Sequence, residues 1–307
     1  MSLIKNTIFC LASFTILIAG CTPRTNIDTT SPENLSNSRP QLTQQTRPIK
    51  LTKNSPCKPG IGWEKIIMHK PEGFYFFGEW HGTNEMAPLT VEFACALADY
   101  SQKPTLVLFE TDASDVFAKA RSTHREDLRA LLLTEMKNFW FNESQDGRRT
   151  EPMMEAMLRI KDLMDLGLPI EFGSLGPTSE QFLSVDKYVT GGTIKNFEFE
   201  NILKSSHNYA NIITLTGNFH TYYYAHKMQQ SNRTDWVAFD QVYENGIGRN
   251  CMSTCGVNSF GTHKFAETLN QYEDKSYIFK PELHDKFDAF VMTRTTTAAD
   301  FIKERGD

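Results

Sequence analysis

The chain has 307 residues, a formal net charge of −5 and a hydrophobic fraction of 40%. This length fits one large globular domain together with terminal segments. Proteins that recognise nucleic acid use Lys and Arg side chains to neutralise phosphates, so we do not expect this acidic chain to bind DNA or RNA.

The N-terminus resembles a lipoprotein signal peptide. Lys5 precedes an apolar run from Ile8 to Ala19, which is shorter than the about 20 apolar residues of a membrane-spanning helix. The run ends in Ile-Ala-Gly before Cys21, a pattern that resembles a lipobox. We predict cleavage of residues 1–20 and lipidation of Cys21. Thr22, rather than Asp, follows the cysteine and favours the outer membrane of a bacterial cell envelope. The alternatives are an ordinary signal peptide or an uncleaved anchor.

The segment after Cys21 is rich in Ser, Thr, Asn, Gln and Pro and poor in aliphatic residues. It has too little apolar surface to offset the entropy cost of ordering, so residues 21–56 are predicted to form a flexible tether. Residues 57–307 then form a single domain.

Four cysteines remain after the lipidated one. Cys95 lies in a helical pattern and is predicted to be a buried free thiol, whereas Cys57, Cys251 and Cys255 lie in irregular sequence. One disulfide among these three is expected outside the cytoplasm, and the sequence leaves the pairing open. A redox-active Cys251–Cys255 pair, or a zinc site that adds His263, is an alternative.

Buried strands alternate with helices along the rest of the chain. Gly73–Gly78 is a short apolar run bounded by glycines, which is typical of a strand buried on both faces. The other predicted strands are Thr105–Phe109, Leu168–Phe172, Asn211–Thr216, Asp235–Phe239 and Phe287–Met292. Helical patterns occupy Ala87–Tyr100, Ser114–Phe141 and Glu151–Leu166. This alternation predicts an α/β fold with a mostly parallel sheet and helices on both faces.

Polar residues follow three of these strands. His81 follows the first strand, Glu110 the second and His220 the fourth, and Glu79 and Glu85 flank His81. Sites in parallel sheets lie at the carboxyl ends of the strands, so these side chains are expected to meet there. The plainer interpretation is that the histidines are ordinary loop residues and that Glu85 only favours the first turn of a helix.

The paired Gly-x-x-His elements, Gly78 to His81 and Gly217 to His220, resemble the superfamily that contains ChaN haem-binding lipoproteins, erythromycin esterase-like proteins, and TraB and Tiki proteins. The segment Gly-Glu-Trp-His-Gly-Thr-Asn-Glu, residues 78–85, carries most of this resemblance. The esterase-like members usually have one more residue between Glu and His, and ChaN-like members usually have further histidines where this chain has Thr83 to Glu85.

The resemblance implies two hydrolytic chemistries on a small-molecule or peptide substrate. In the first, which we prefer, His81, His220 and a carboxylate, Glu110 or Glu79, hold a divalent metal that activates water, as Tiki-type members imply. In the second, His81 is a general base oriented by Glu79 or Glu85, as esterase-like members imply. Arg148 precedes a predicted helix start and is expected to hold a substrate anion, to pair with Glu79, or to lie in a solvated turn.

The ChaN-like resemblance implies a rival function, which is haem binding during iron acquisition. Tyr222, Tyr223 and His226 lie beside His220 and offer side chains that ligate haem iron. A run of aromatic residues that pack at the start of a helix is the alternative explanation. A third possibility is a binding module for an envelope partner, without catalysis.

Overall fold

A computed structural model describes residues 49–111, 114–141, 147–177, 191–251 and 255–303. The predicted signal peptide, the lipidated Cys21 and most of the predicted tether lie outside these residues. None of the described helices is long and apolar enough to cross a membrane.

The fold is built on a seven-stranded sheet. Its strands span Gly73–Glu79 (β1), Thr105–Phe109 (β2), Ile170–Ser174 (β3), Asn211–Gly217 (β4), Trp236–Val242 (β5), Ser276–Phe279 (β8) and Ala289–Met292 (β9). Their order in the sheet is β3-β2-β4-β1-β5-β9-β8, and all pairs are parallel except β8 with β9. A smaller sheet with the order β10-β6-β7 contains Asn245–Cys251 (β6), Cys255–Phe260 (β7) and Thr295–Thr296 (β10).

Helices cover both faces of the large sheet. They span Trp63–His69 (α1), Met86–Ser101 (α2), Ser114–Ser122 (α3), Arg125–Glu135 (α4), Lys137–Trp140 (α5), Glu151–Asp165 (α6), Gly191–Ser205 (α7), Asn218–Gln230 (α8) and Ala266–Leu269 (α9), with a short 3-10 helix at Pro281–Leu283. The alternation of side chains along β1 explains the two layers. Tyr75 and Phe77 pack in a core with α2 and α6, and Phe74 and Phe76 pack in a second core with α7 and α8.

The predicted fold class is confirmed, and each of the six predicted strands is present. The predicted long helix at Ser114–Phe141 is instead divided into α3, α4 and α5. The β6–β7 hairpin and the antiparallel edge strand β8 were not predicted. In the hairpin, Gly246, Gly248 and Gly256 interrupt the alternation of apolar and polar residues that marks a strand.

The packed part of the chain begins before the predicted boundary at residue 57. Ile49 is buried in the core next to α2 and α6. The backbone N–H of Thr52 donates to Asp99 at 3.1 Å, and Arg159 donates to the carbonyl of Pro56 at 2.7 Å. Residues 49–56 therefore contact the domain, although their composition is that of a tether.

Cys57 and Cys95 form a disulfide with Cα atoms 5.5 Å apart. The prediction that Cys95 is a free thiol is therefore wrong, whereas Cys57, one of the three disulfide candidates, is confirmed in a disulfide with a partner outside that set. The helical pattern correctly predicts that Cys95 is buried. It does not show that Cys57 packs against the side of α2 that carries Cys95. Cys251 and Cys255 are register partners on β6 and β7, and their side chains lie outside the described part of the chain.

Candidate functional site

The three strands that end in polar residues are neighbours, in the order β2-β4-β1. Glu79 at the end of β1 pairs in register with Gly217 at the end of β4, and Phe109 on β2 pairs with Leu215. The loops that follow these strands therefore emerge side by side at the carboxyl edge of the sheet, where the fold predicts a site.

Glu79 and His81 form the first histidine–carboxylate pair. Nδ1 of His81 lies 2.8 Å from Oε1 of Glu79, whose side chain is almost fully buried, whereas the His81 side chain is 20% exposed. The carboxylate therefore holds the hydrogen on Nδ1 and leaves Nε2 of the neutral ring as an acceptor. The chain turns directly after His81 at Gly82, whose φ is +78° and whose Cβ position lies 1.9 Å from the carbonyl oxygen of Arg249 on β6.

His220 and Glu198 form a second pair of the same kind. Nδ1 of His220 lies 2.8 Å from Oε2 of Glu198, and the His220 side chain is also 20% exposed. The buried hydroxyl of Tyr224 donates to the same carboxylate oxygen at 2.7 Å. Glu198 lies on α7 and was not among the predicted site residues.

Glu110 lies between the two pairs. Nε2 of His81 is 3.7 Å from Oε2 of Glu110, and Nε2 of His220 is 3.6 Å from Oε1. The backbone N–H of Gly217 donates to Oε2 at 2.9 Å, and Nη1 of Arg148 donates to Oε1 at 3.2 Å. Both imidazoles thus direct Nε2 towards one buried carboxylate.

Burial and neighbouring charges shift the pKa values of Glu110, His81 and Glu79. Burial alone would raise the pKa of Glu110, but His81, His220, Arg148 and the Gly217 N–H together lower it. Burial alone would lower the pKa of His81, but the hydrogen bond to Glu79 and the charges of Glu110 and Glu79 outweigh burial and raise it. Burial is also the largest cause of the raised pKa of Glu79.

The three predicted metal ligands lie together, but their arrangement suits a hydrogen-bonded network. Among the residues that the structure describes, no group of three or more His, Cys, Asp or Glu side chains is arranged to hold a metal ion. Both oxygens of Glu110 already accept hydrogen bonds, and the Arg148 guanidinium 3.2 Å from this carboxylate would repel a divalent cation. The donor set therefore fits a metal poorly.

Two other predicted residues have structural contacts. Glu85 precedes α2, and its Oε1 accepts hydrogen bonds from the backbone and hydroxyl of Thr297 at 3.0 and 2.7 Å. It therefore does not orient His81. The side chain of Arg148 contacts Glu110 and does not line the pocket that is formed by His81, His220 and the start of α8.

A pocket of about 900 Å³ opens over the two histidine pairs. His81, His220 and the first residues of α8 line it. Of the predicted haem ligands, only Tyr222 lines the pocket. The Tyr223 hydroxyl bonds to Asn196, and Nε2 of His226 lies 3.0 Å from the amide of Gln230.

No family model and no curated protein matches the sequence. The fold is similar to that of a succinoglycan biosynthesis protein, with a TM-score of 0.51 and 9% identity over 76% of this chain and 90% of that chain. Two other solved structures overlap with lower scores. The type III effector HopBA1 has a TM-score of 0.44 and 10% identity over 81% of this chain and 99% of its own. ChaN of Campylobacter jejuni, solved with cofacial haem, has a TM-score of 0.37 and 14% identity over 66% and 93%. At these identities the likeness concerns the fold alone.

Proposed function

We propose that the chain is a hydrolase of esters or amides in which His81 is the general base. The observation that carries this proposal is the convergence of two carboxylate-held histidines, His81 and His220, on Glu110 beneath one pocket. A histidine that lines a pocket and is fixed by a buried carboxylate through Nδ1 has the geometry of a general base, and Nε2 of His81 lies 3.7 Å from Glu110, beyond hydrogen-bond distance. The esterase-like part of the family resemblance supports the same assignment.

In the proposed reaction, Nε2 of His81 removes a proton from water, and the water oxygen attacks the carbonyl carbon of the substrate. Glu79 keeps the hydrogen of His81 on Nδ1 and stabilises the imidazolium that forms. The bond from the carbonyl carbon to the leaving oxygen or nitrogen then breaks. Protonated His220 donates its Nε2 proton to that leaving atom, and solvent exchange restores both rings.

The start of α8 is placed to stabilise the oxyanion. Residues 217–220 line the pocket, and no side chain caps this helix end. The first backbone N–H groups of a helix have no intrahelical partner and carry a partial positive charge. A carbonyl oxygen that becomes negative during attack by water beside His81 would accept hydrogen bonds from these groups.

The test is a screen of activated esters and amides with the purified full chain, repeated with His81→Ala and His220→Ala. His207→Ala is the matched control, because His207 is exposed and lies next to the amino end of β4. We expect hydrolysis in the unmodified chain and in the control, with losses of about 100-fold or more for His81→Ala. Equal rates in all four proteins would contradict the proposal.

We also propose that the hydrolase is anchored in the cell envelope through lipid on Cys21. The support is the apolar run and the lipobox-like sequence at residues 18–21. Mass spectrometry of the mature protein from membranes tests this, since cleavage before Cys21 and acyl chains on it are expected. An unmodified N-terminus would contradict the anchor and would leave the assignment of His81 intact.

Haem binding is the second candidate function. Phe219 and Tyr222 lie in the pocket lining and are 81% and 44% exposed, which leaves an aromatic surface for a flat apolar ligand. Titration with haemin tests it. If haem is the ligand, a Soret band appears and is lost in Tyr222→Phe but not in Tyr223→Phe, because Tyr222 lines the pocket and Tyr223 does not. If neither hydrolysis nor haem binding is found, a non-catalytic binding module for an envelope partner is the function that remains.

A further inference from the structure

A third histidine–carboxylate pair lines the same pocket, but its histidine faces the carboxylate through Nε2 and not through Nδ1. Asp240 lies on β5 and is 4% exposed, and its Oδ2 is 3.2 Å from Nε2 of His263. Nδ1 of His263 accepts the backbone N–H of Phe265 at 3.3 Å. The hydrogen of the neutral ring is therefore on Nε2, which faces Oδ2 of Asp240. With both nitrogens engaged, His263 has no acceptor left for a substrate and serves to position Asp240.

The second oxygen of Asp240 lacks a donor. Oδ1 is buried and has no hydrogen-bond partner among the described residues. Within the described chain, no Lys or Arg lies in ion-pair distance of Asp240. Lys264 follows His263, but its ammonium lies 4.7 Å from the centre of the Phe265 ring. A buried carboxylate without a cation or a full set of donors is costly, which indicates that a ligand supplies one.

A second unpaired acceptor lines the same pocket. A Cβ at residue 78 would lie 2.3 Å from Oδ1 of Asn218, and Gly78 is the register partner of Asp240 on the neighbouring strand. This Asn218 oxygen is also buried without a partner among the described residues. Asp240 lies on β5 and Asn218 follows β4, the two strands next to β1, and both residues line the pocket.

Aromatic rings complete this part of the pocket. Trp80 and Tyr243 both line it, with ring centres 6.1 Å apart in an edge-to-face arrangement. A cation near aromatic faces and a carboxylate is stabilised by both. Nε1 of Trp80 is a buried donor without a partner in the described chain, which a hydroxyl group could also satisfy. The charge of Asp240 favours an ammonium group over a hydroxyl.

We propose that Asp240, assisted by Asn218 and positioned by His263, binds a primary ammonium group of the substrate. This inference rests on the proposed function, and it narrows the substrate class to esters or amides that carry an amine. The Glu79–His81 and Glu198–His220 pairs perform the hydrolysis, and the Asp240–His263 pair selects the substrate.

The kinetic test compares three p-nitrophenyl esters of similar length, whose acyl chains end in an ammonium, a hydroxyl or a methyl group. They are the esters of ω-aminohexanoic, ω-hydroxyhexanoic and heptanoic acid. We expect kcat/KM for the ammonium ester to exceed that for the methyl ester by about tenfold or more in the unmodified chain. Equal values, or an equal preference for the hydroxyl ester, would overturn the ammonium assignment.

Asp240→Asn removes the charge with almost no change of shape. It should lower kcat/KM for the ammonium ester by about tenfold more than for the methyl ester. Asp300→Asn is the control, because the Asp300 side chain is 85% exposed. A preference for the ammonium ester that survives in Asp240→Asn would overturn the proposal. If that variant does not fold, inhibition of the unmodified chain by hexylammonium but not by hexanol is the deciding comparison.

A binding measurement separates this inference from the proposed function. Hexylammonium is titrated calorimetrically into the full chain, into His81→Ala and into Asp240→Asn. We expect binding to the first two proteins and its loss in the third, whether or not any ester is hydrolysed. If His81→Ala loses hydrolysis but hexylammonium does not bind to the unmodified chain, the result supports the proposed function and refutes the ammonium site.

Discussion

Gly217 lies directly against His81, because a Cβ at residue 217 would be 2.7 Å from Nε2 of the imidazole. The backbone of Gly217 has φ −62° and ψ 150°, which any residue adopts. Glycine is therefore needed at this position for space and not for conformation. The end of β4 approaches His81 so closely that Nε2 of the imidazole occupies the space that a side chain at residue 217 would take.

Gly217→Ala should impair catalysis more than folding. The added methyl group displaces the end of the His81 side chain, which weakens its hydrogen bond to Glu79 and its alignment with the substrate. We expect a loss of about tenfold to 100-fold in kcat/KM for ester hydrolysis with a change of about 1 kcal/mol or less in unfolding free energy. Gly261→Ala is the control, since no atom lies within 4 Å of its Cβ position. Equal activity of the two variants would contradict the role of Gly217.

The pH profile should report the charges around His81. A general base acts when it is unprotonated, so kcat/KM should rise with pH through a midpoint above 6.5, the ordinary pKa of histidine, because the pKa of His81 is raised. Glu110→Gln removes an anion that raises this pKa and should move the midpoint to lower pH. Arg148→Gln removes a cation that lowers it and should move the midpoint to higher pH. Shifts in the same direction for both variants would argue against the base assignment.

Glu198→Gln should affect poor leaving groups more than good ones. Glu198 positions His220 through the contact with Nδ1, and a leaving alkoxide needs the proton that His220 donates more than p-nitrophenolate does. We expect about a tenfold larger loss of kcat/KM for an alkyl ester than for a p-nitrophenyl ester of the same acid. Glu200→Gln on the same helix is the control, because Glu200 is exposed. A uniform loss on both esters would indicate a purely structural role.

The disulfide between Cys57 and Cys95 should stabilise the domain. It closes a loop with a sequence separation of 38 residues, for which the chain-entropy account gives about 4 kcal/mol. Cys57→Ala combined with Cys95→Ala should lower the unfolding free energy by about 2–5 kcal/mol in denaturant titrations. Peptide mapping without reduction should recover a peptide containing both cysteines. A linked peptide that joins Cys57 to Cys251 or Cys255 would contradict the pairing.

Much of the central sheet could be predicted, because strands buried on both faces have a strong sequence pattern. The run Gly73–Gly78 predicted β1, and the polar residues after β1, β2 and β4 predicted where polar side chains meet at the carboxyl edge of the sheet. The β6–β7 hairpin could not be predicted in this way. Its glycines and polar residues obscure the period of two, although this hairpin supports the His81 loop through the contact of Gly82 with Arg249.

The partners in the site were harder to predict than its location. His81, His220 and Glu110 were expected to meet because they end neighbouring strands. Glu198 lies inside a helix 22 residues before His220, and no local pattern distinguishes it from Glu200, the other carboxylate of that helix. Glu85 shares a conspicuous segment with His81, but it bonds to Thr297, which is 212 residues away in the sequence. Contacts of such long range depend on the tertiary fold and not on spacing.

The role of His81 as a metal-independent base is tested most directly by the rate of ester hydrolysis by chelator-treated protein, with the unmodified chain and His81→Ala measured side by side. We expect the unmodified chain to keep its activity after chelation and His81→Ala to lose about 100-fold or more of kcat/KM. Activity that disappears on chelation and returns with an added divalent metal, or equal activity of the two proteins, would contradict it.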